Sequence, residues 1–218
     1  MECLNFDGLM NKDFDASLLA EFSDRHTLVA GVDEVGRGAL FGSVVAAAVV
    51  LPLDNIPDLI ALGVKDSKKL SPLQRQKLIQ PIKSLVTAWH VSTANVIEIE
   101  ELNILQASLL AMNRSISNLS VTPDINLVDG NRLIPDLNLP QKTVVKGDLR
   151  SPVIAAASIL AKVWRDELIT AFDRQYPQYD LAKNKGYPTT NHRLAIQRYG
   201  ITPEHRRSFK SCQILPDC

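Results

Sequence analysis

The sequence predicts an α/β fold in which a mixed β-sheet is flanked by helices. Short apolar stretches alternate with segments of helical periodicity between residues 27 and 172, and the first two apolar stretches follow each other closely, as in a hairpin. The 218 residues can bury a core without disulfides or a structural metal. We therefore expect an N-terminal extension (residues 1–26), an α/β domain (27–176) and a small C-terminal helical extension (177–218).

Five apolar stretches are predicted to be β-strands. They are short, rich in Val, Ala and Ile, and bounded by Gly, Pro or Asp, which is typical of strands in a buried sheet. They lie at residues 27–32, 43–51, 89–93, 125–128 and 143–145.

Two serine–proline pairs predict the beginnings of helices. Ser71-Pro72 and Ser151-Pro152 each place a capping residue before a proline at the first helical position. We expect these helices to reach about residues 85 and 165, the second continuing or restarting toward residue 172. Apolar residues at helical spacing predict one further helix over residues 102–119, and the chain after residue 176 should contain one or two short helices.

Composition excludes some classes of protein. Three cysteines without metal-ligand spacing indicate a reducing compartment and no disulfide framework. Because we find neither a signal peptide nor an apolar run long enough to span a bilayer, we expect a soluble, cytoplasmic protein that does not bind membranes.

The charge distribution bears on a nucleic-acid partner. A formal net charge of zero weakens the case for one. However, residues 182–211 contain seven basic residues against Glu204 alone, a local net charge of +6, which favours a polyanionic partner again. A solvated basic surface would show the same composition.

Four carboxylates follow the predicted strands: Asp33 and Glu34 after the first, Asp129 after the fourth and Asp148 just beyond the fifth. Gathered at one sheet edge, they would repel one another unless divalent cations neutralised them. Oxygen ligands without His or Cys favour Mg²⁺ or Mn²⁺, and two such ions can clamp the attacking and leaving oxygens of a phosphodiester. Each residue could instead cap a helix or start a turn.

The first two of these carboxylates raise a geometric difficulty. Asp33 and Glu34 would face opposite sides of a regular strand, so we expect the backbone to bend there, where Gly36 and Gly38 lower the steric cost. Gly36-Arg37-Gly38 can also bring main-chain N–H groups and a guanidinium to a phosphate, although a plain hairpin turn would have the same composition.

Tyr187 lies in a Gly-Tyr-Pro segment within the basic region. Its ring could stack on a sugar or base, or it could pack internally.

In combination and order, these segments resemble the ribonuclease HII family. The resemblance runs from about residue 28 to residue 209. The similar blocks are GVDEVGRG (31–38), DSKKLS (66–71), LVDGN (127–131), VKGD (145–148), AAASILAKV (155–163), KGYPT (185–189) and HRRSF (205–209).

The resemblance implies a ribonuclease-H-like fold and an endonuclease. Such an enzyme cuts the RNA strand of RNA/DNA hybrids and nicks duplex DNA on the 5′ side of embedded ribonucleotides, leaving 3′-hydroxyl and 5′-phosphate ends. The resemblance further implies a monomer with two divalent cations, Mn²⁺ or Mg²⁺. Their ligands would be Asp33, Glu34, Asp129 and Asp148.

The resemblance also assigns residues to the substrate. Two glycines and an arginine would sense the ribose 2′-hydroxyl, the tyrosine would stack on the deoxyribose that follows, and the Ser-Lys pair would contact phosphate. These residues are Gly36, Arg37, Gly38, Tyr187, Ser67 and Lys68. The C-terminal extension would supply a basic binding surface.

The chain departs from the family pattern at two places. ALFGS (39–43) stands where the family often has PLAGP, and Asn184 stands where a histidine is common. We expect Phe41 to narrow the groove near the junction, which leaves the detailed substrate preference open.

Three other functions remain open. The sister family, ribonuclease HIII, is expected to carry an additional N-terminal DNA-binding domain, for which about 27 residues before the first strand leave no room. The four carboxylates disfavour a nucleic-acid-binding protein without catalysis, and the basic C-terminal region disfavours a metal-dependent phosphatase for small molecules.

Overall fold

The computed structural model describes residues 14–22, 24 and 26–213. Its sheet contains β1 (Leu28–Val35), β2 (Val44–Pro52), β3 (Ala88–Ala94), β4 (Ile125–Asp129) and β5 (Gln141–Val144). The α-helices are α1 (Phe14–Leu18), α2 (Ile56–Ala61), α3 (Pro72–Leu85), α4 (Val96–Leu102), α5 (Ile104–Ser117), α6 (Gly147–Arg150), α7 (Pro152–Phe172), α8 (Leu181–Asn184) and α9 (Thr190–Tyr199). Short 3₁₀ turns lie at Leu53–Asn55, Ser67–Lys69, Pro177–Tyr179 and Lys210–Cys212.

The strands form one mixed sheet in the order β3-β2-β1-β4-β5. Strand β2 is antiparallel to both of its neighbours, β1 and β3, whereas β4 lies parallel to β1 and β5 lies parallel to β4. The predicted hairpin and the predicted mixed α/β fold are confirmed. Because β1 is central and parallel to β4, the C-terminal ends of these two strands lie side by side.

Side-chain alternation along β2 divides the core into two layers. Val45 and Ala47 pack with the small residues of α7 on one face of the sheet, whereas Ala46 and Ala48 pack with α5 on the other. The sheet is therefore covered on both faces, which explains why its strands read as continuous apolar runs.

Gly31 sets how closely α7 approaches β1. A Cβ atom at this position would lie 2.5 Å from the main-chain carbonyl carbon of Val153, so no side chain fits. The close approach fixes β1, and with it the residues at its C-terminal end, against the longest helix of the described chain.

Both predicted serine–proline helix starts are confirmed. The hydroxyl of Ser71 accepts a hydrogen bond from the Gln74 amide, and that of Ser151 accepts one from the Ile154 amide. The helix α7 continues without a break to Phe172. None of the helices within residues 14–22, 24 and 26–213 combines the length and apolar character needed to cross a lipid bilayer.

The helix predicted over residues 102–119 is confirmed as α5, but the sequence did not predict the shorter α4 before it or the break between them at Asn103. This residue has a φ of 70°, which interrupts the helix. Its side-chain oxygen then caps α5 by accepting hydrogen bonds from the amides of Leu105 and Gln106. The apolar spacing continued across the break and hid it.

The segment after α7 folds back over the loop that joins β1 to β2. Phe41 in this loop is fully buried, with its ring in edge contact with the rings of Phe172, Tyr176 and His205. The expectation that Phe41 narrows a substrate groove is therefore wrong. The ring instead forms the centre of the contact between the loop and the C-terminal segment.

Asn184, the other departure from the family pattern, is also internal. Its side-chain nitrogen donates to the Tyr179 carbonyl at 2.6 Å, and its side-chain oxygen accepts from the Gly186 amide at 2.8 Å. It shapes the turn that precedes Tyr187.

The helix α1 packs against the beginning of α7. Asp15 of α1 is fully buried, and its Oδ2 lies 3.0 Å from the hydroxyl of Ser151, the residue that caps α7. Lys142 donates to the Leu18 carbonyl at 2.9 Å and pairs with Glu21 at 2.7 Å. Burial raises the pKa of Asp15 from 3.8 to about 6.

We expect the docking of α1 to weaken with rising pH. A carboxyl group with a raised pKa holds its proton more tightly in the folded state, so its stabilising effect is complete below about pH 4 and is lost as the pH rises through about 6. Asp15→Asn stays neutral and should stabilise the protein at pH 8 by on the order of 2 kcal/mol. Thermal denaturation at pH 5 and pH 8 measures this; an equal gap between variant and wild type at both pH values would contradict it.

Candidate metal centre and its flanking loop

The structure brings three of the four predicted carboxylates together where β1 and β4 part. The parallel pairing of these strands stops at Val32 and Val128. The next residues, Asp33, Glu34 and Asp129, border the gap, and each offers a carboxylate oxygen within 4.8 Å of the others.

Asp33 and Glu34 reach this gap from opposite faces of β1. Asp33 lies on the α7 face, as Gly31 does, whereas Glu34 lies on the α5 face and lines a cleft of about 250 Å³ together with Arg37 and Asp129. The pairing of β1 with β2 stays regular through Val35, so the expected backbone bend is wrong. The gap beside β4 lets both side chains meet without a bend.

A larger cavity of about 540 Å³ lies between α3 and α7. It is lined by Asp166 and Glu167 but by none of the four predicted carboxylates. We place the site at the smaller cleft, because convergence of carboxylates, rather than volume, indicates chemistry here.

Burial and mutual repulsion raise the pKa values of the three clustered carboxylates. The pKa of Asp33 lies well above its ordinary value because of burial and of the charges on Glu34 and Asp129. Burial also raises the pKa of Glu34, although the neighbouring Arg37 charge lowers it in part. Burial raises the pKa of Asp129 as well, although a 2.6 Å hydrogen bond from the Gly147 amide opposes this increase. A divalent cation would remove this repulsion, and an oxygen-only donor set suits Mg²⁺ or Mn²⁺.

Asp148 lies beside the cluster, but its carboxylate is paired with a lysine. Its Oδ2 accepts a hydrogen bond from the Lys68 ammonium group at 2.8 Å, which raises the pKa of Lys68. Its charge also raises the pKa values of Asp33 and Asp129. The Lys68 side chain is 78% exposed, whereas that of Asp148 is 9% exposed, so the lysine reaches this buried carboxylate from the surface.

The structure gives Ser67 a contact inside the protein. This residue is buried, and its hydroxyl lies 3.0 Å from the hydroxyl of Ser158 on α7. Ser158 in turn lowers the pKa of Asp33 by hydrogen bonding. Ser67 is thus one residue away from the carboxylate cluster, whereas its neighbour Lys68 extends over the surface beside it.

The loop after β1 is held by the side chain of Arg206. This arginine is fully buried and donates hydrogen bonds to the main-chain carbonyls of Gly36 (2.7 Å), Arg37 (3.0 Å) and Gly42 (2.9 Å). Burial lowers its pKa to about 9. Arg206 is one of the seven basic residues between positions 182 and 211, and the interpretation of these residues as a binding surface is wrong for Arg206 because its side chain is fully buried.

A second fully buried arginine, Arg165 of α7, holds the same loop from the other side. It donates to the carbonyls of Phe41 (3.0 Å), Ser43 (3.2 Å) and Lys185 (2.9 Å). Gly36 makes room for it, since a Cβ there would lie 2.1 Å from Arg165 Nε and the φ of Gly36 is +97°. Sequence reasoning missed both arginines, although Arg206 lies within the HRRSF block (205–209) and Arg165 lies two residues after the AAASILAKV block (155–163).

Gly38 and Arg37 differ from Gly36 because the fold does not constrain their side chains. A Cβ at Gly38 would meet no atom within 4 Å. The Arg37 side chain is half exposed, and its guanidinium lies 3.1 Å from Glu34 Oε1. Both residues therefore present themselves to the outside, next to the carboxylates.

Tyr187 is partly exposed and is tied to the same loop through Arg165. Its ring lies 5.3 Å from the Arg165 guanidinium and 5.3 Å from the Lys162 ammonium group. Its main-chain carbonyl accepts hydrogen bonds from the Thr189 amide and the His192 ring. The structure thus gathers Gly36, Arg37 and Tyr187 around two buried arginines.

The chain is similar to ribonucleases HII along most of its length. The model of the family described as Ribonuclease HII matches residues 30–212. Ribonuclease HII of Acaryochloris marina (strain MBIC 11017) is 57% identical over 196 residues, which is 89% of this chain and 99% of that protein. The crystal structure of ribonuclease H2 from Pyrococcus horikoshii OT3 is 28% identical with a TM-score of 0.73, and the match covers 86% of this chain and 96% of that chain.

A more distant likeness concerns the fold alone. Bst-RNase HIII, solved in complex with Mn²⁺, has a TM-score of 0.71 at 22% identity, and the match covers 86% of this chain but 68% of that chain.

We expect Arg206→Lys to lower the free energy of unfolding by about 3 kcal/mol, because one ammonium group cannot replace a fork of donors to three buried carbonyls. The matched control is Arg207→Lys at the exposed neighbouring position, which should change stability by less than about 0.5 kcal/mol. Urea denaturation of the three proteins measures both values. Equal stability of the two variants would show that the carbonyl contacts of Arg206 contribute little.

Proposed function

The chain belongs to the ribonuclease HII family, and we propose that it hydrolyses the RNA strand of RNA/DNA hybrids and nicks duplex DNA on the 5′ side of embedded ribonucleotides. The products would carry 3′-hydroxyl and 5′-phosphate ends. The observation that carries the proposal is the cluster of Asp33, Glu34 and Asp129 at the gap between β1 and β4, beside the loop that bears the half-exposed guanidinium of Arg37. Membership of this family does not support the alternatives of ribonuclease HIII or a small-molecule phosphatase.

The carboxylates fit the role of cation ligands. Their pKa values are raised by burial and repulsion, so a divalent cation would stabilise the ionised cluster. Two ions, Mg²⁺ or Mn²⁺, would neutralise phosphate charge and polarise the attacking water. Asp33, Glu34 and Asp129 would hold them, and Asp148 would join once Lys68 leaves its carboxylate.

Lys68 then becomes available to the substrate. Its exposed ammonium group is already directed to the carboxylates, and a phosphate at this place would offer it another anionic partner. Ser67, whose hydroxyl contacts Ser158, supports the position of Asp33 rather than facing solvent. We therefore assign the phosphate contact at this turn chiefly to Lys68.

The loop after β1 is suited to recognising a ribose. Gly38 leaves open space where a side chain would project, so a sugar can approach the main chain closely. The half-exposed guanidinium of Arg37 supplies donors beside it. A 2′-hydroxyl both donates and accepts hydrogen bonds, so the N–H groups of Arg37 would distinguish a ribose from a deoxyribose.

Tyr187 would contact the nucleotide that follows the ribonucleotide. Its ring is partly exposed and lies 5.3 Å from the guanidinium of Arg165, which also holds the loop after β1. Stacking on a deoxyribose leaves no room for an additional hydroxyl there, which favours an RNA-to-DNA junction.

Cleavage of end-labelled duplexes that carry one, four or no ribonucleotides, in Mg²⁺ and then in Mn²⁺, tests the proposal. We expect metal-dependent cuts on the 5′ side of ribonucleotides and none in the all-DNA duplex. Tight binding without any cut would instead indicate a nucleic-acid-binding protein of the same fold.

Loss of a clustered carboxylate should nearly abolish cleavage. We expect Asp33→Asn, Glu34→Gln and Asp129→Asn each to lower the cleavage rate by more than about 100-fold, because they hold the ions, while duplex binding changes little. Glu101→Gln, at an exposed position on α4, is the control for removing a charge. Normal turnover of any one variant would remove that residue from the site.

Asp148→Asn should raise the Mg²⁺ concentration needed for half-maximal cleavage and lower the maximal rate. The reason is that Mg²⁺ takes few protein carboxylates, so each one it loses matters. The Mg²⁺ titration is combined with a melting curve of the same variant. A lowered melting temperature with unchanged metal dependence would show that Asp148 only stabilises the fold.

Tyr187→Ala should slow cleavage at a single embedded ribonucleotide by about tenfold or more, since stacking on one nucleotide contributes about 1–3 kcal/mol. The metal titration should not shift. Tyr199→Ala, which removes another exposed ring from the C-terminal segment, serves as the control. Equal effects of the two substitutions would argue against a specific contact by Tyr187.

A further inference from the structure

Two fully buried histidines, His192 of α9 and His205, face each other in the C-terminal segment. Their Nε2 atoms lie 3.2 Å apart. Each ring has a second partner: His192 Nδ1 lies 3.0 Å from the Tyr187 carbonyl oxygen, and His205 Nδ1 lies 3.0 Å from the Thr202 amide nitrogen. The function proposed above uses neither histidine.

The outer partners fix the protons on both rings. The Thr202 amide can only donate, so His205 Nδ1 accepts and its hydrogen must be on Nε2. That hydrogen is donated to His192 Nε2, which leaves the His192 hydrogen on Nδ1, where it is donated to the Tyr187 carbonyl. Both rings are therefore neutral, and the hydrogen bonds run in one direction from Thr202 to Tyr187.

This arrangement is not a metal site. Two ring nitrogens 3.2 Å apart could in principle share a cation, but His205 Nε2 carries a hydrogen and has no free lone pair. Burial and the proximity of His192 lower the pKa of His205 to about 3, and burial lowers the pKa of His192, which agrees with a neutral pair.

The two ends of the pair reach two parts of the proposed junction site. At one end the pair contacts the main chain of Tyr187. At the other, His205 directly precedes Arg206, whose guanidinium holds the carbonyls of Gly36 and Arg37. An isolated β-bridge between Phe41 and His205 also joins the loop after β1 to the C-terminal segment.

We propose that His192, oriented by His205, is a positioning residue that fixes Tyr187 relative to the Gly36–Gly38 loop and so sets discrimination at the RNA-to-DNA junction. The inference rests on the function proposed above. The Nδ1–H of His192 is the directing group, because it is the side-chain contact of the pair with the tyrosine main chain.

Two substitutions in the full-length protein separate positioning from stability. In His192→Gln, the side-chain amide lies near the former Nε2 position and keeps the contact with His205 but loses the donor to Tyr187. In His192→Asn, the amide lies near the former Nδ1 position and keeps the donor to Tyr187 but loses His205. Both leave one partner unsatisfied, so both should lower the melting temperature. Ile196→Val, a buried change on the same helix, provides a destabilised control that touches neither contact.

The measured quantity is the ratio of the cleavage rate at a single embedded ribonucleotide to that of a uniform RNA strand in a hybrid. We expect His192→Gln to lower this ratio about five- to tenfold, and His192→Asn and Ile196→Val to keep it within about twofold of wild type. In a Tyr187→Ala background, His192→Gln should not lower the ratio further. A ratio that follows the melting temperature across all variants, or multiplicative effects with Tyr187→Ala, would overturn the inference.

Amide hydrogen exchange of Thr189 tests the positioning without reference to cleavage. This amide donates to the Tyr187 carbonyl at 2.8 Å, so its exchange should accelerate in His192→Gln but not in His192→Asn. If the wild-type protein failed to cut at embedded ribonucleotides, the proposed function would fall while this measurement still decided on the role of His192. Equal exchange in both variants would refute that role.

Discussion

The shape of the loop beside the carboxylates depends on two buried guanidinium groups, and this loop in turn helps to shield them from water. Arg165 and Arg206 each donate three hydrogen bonds to main-chain carbonyls, most of them in the loop after β1. Removing such a charge from water costs several kcal/mol unless fixed dipoles replace the solvent. The carbonyls provide those dipoles only in one conformation of the loop. Other conformations would leave the buried guanidinium groups without acceptors, so this conformation is strongly preferred.

Buried charges of the opposite sign, those of carboxylates, lie at the C-terminal end of β1. The packing of the strands places three carboxylates close together, those of Asp33, Glu34 and Asp129. Gly31 allows β1 to pack closely against α7, and the pairing of β1 with β4 ends just before these residues. Their repulsion is a cost that the core sustains. The repulsion lowers the stability of the fold, but it also leaves the carboxylates arranged in advance for binding cations.

Sequence patterns predicted the elements well where local chemistry decides. Ser71 and Ser151 marked helix beginnings because capping involves neighbours in the chain, and the apolar runs of β1 and β2 predicted a hairpin. Asn103 was missed because a residue with positive φ can interrupt a helix without disturbing the apolar spacing around it.

The site was predictable in its residue types and less so in its geometry. Convergence of Asp33 and Glu34 depends on where pairing between β1 and β4 ends, which no local pattern contains. Arg206 counted as surface charge in the sequence, yet its carbonyl partners lie as many as 170 residues earlier. Arg206 therefore has a structural role that could be recognised only from these distant contacts.

That separation along the chain also orders events during biosynthesis. The sheet and α7 are complete once residue 172 has been made, so the acidic cluster can assemble before the C-terminal segment exists. The loop beside it receives its second guanidinium only when the last few residues of the described chain arrive, and long-range contacts of this kind form late. A nascent chain that lacks Arg206 would therefore carry the carboxylates next to an unshaped loop, and the ribose recognition proposed for this loop would be acquired only after residue 206 has been added.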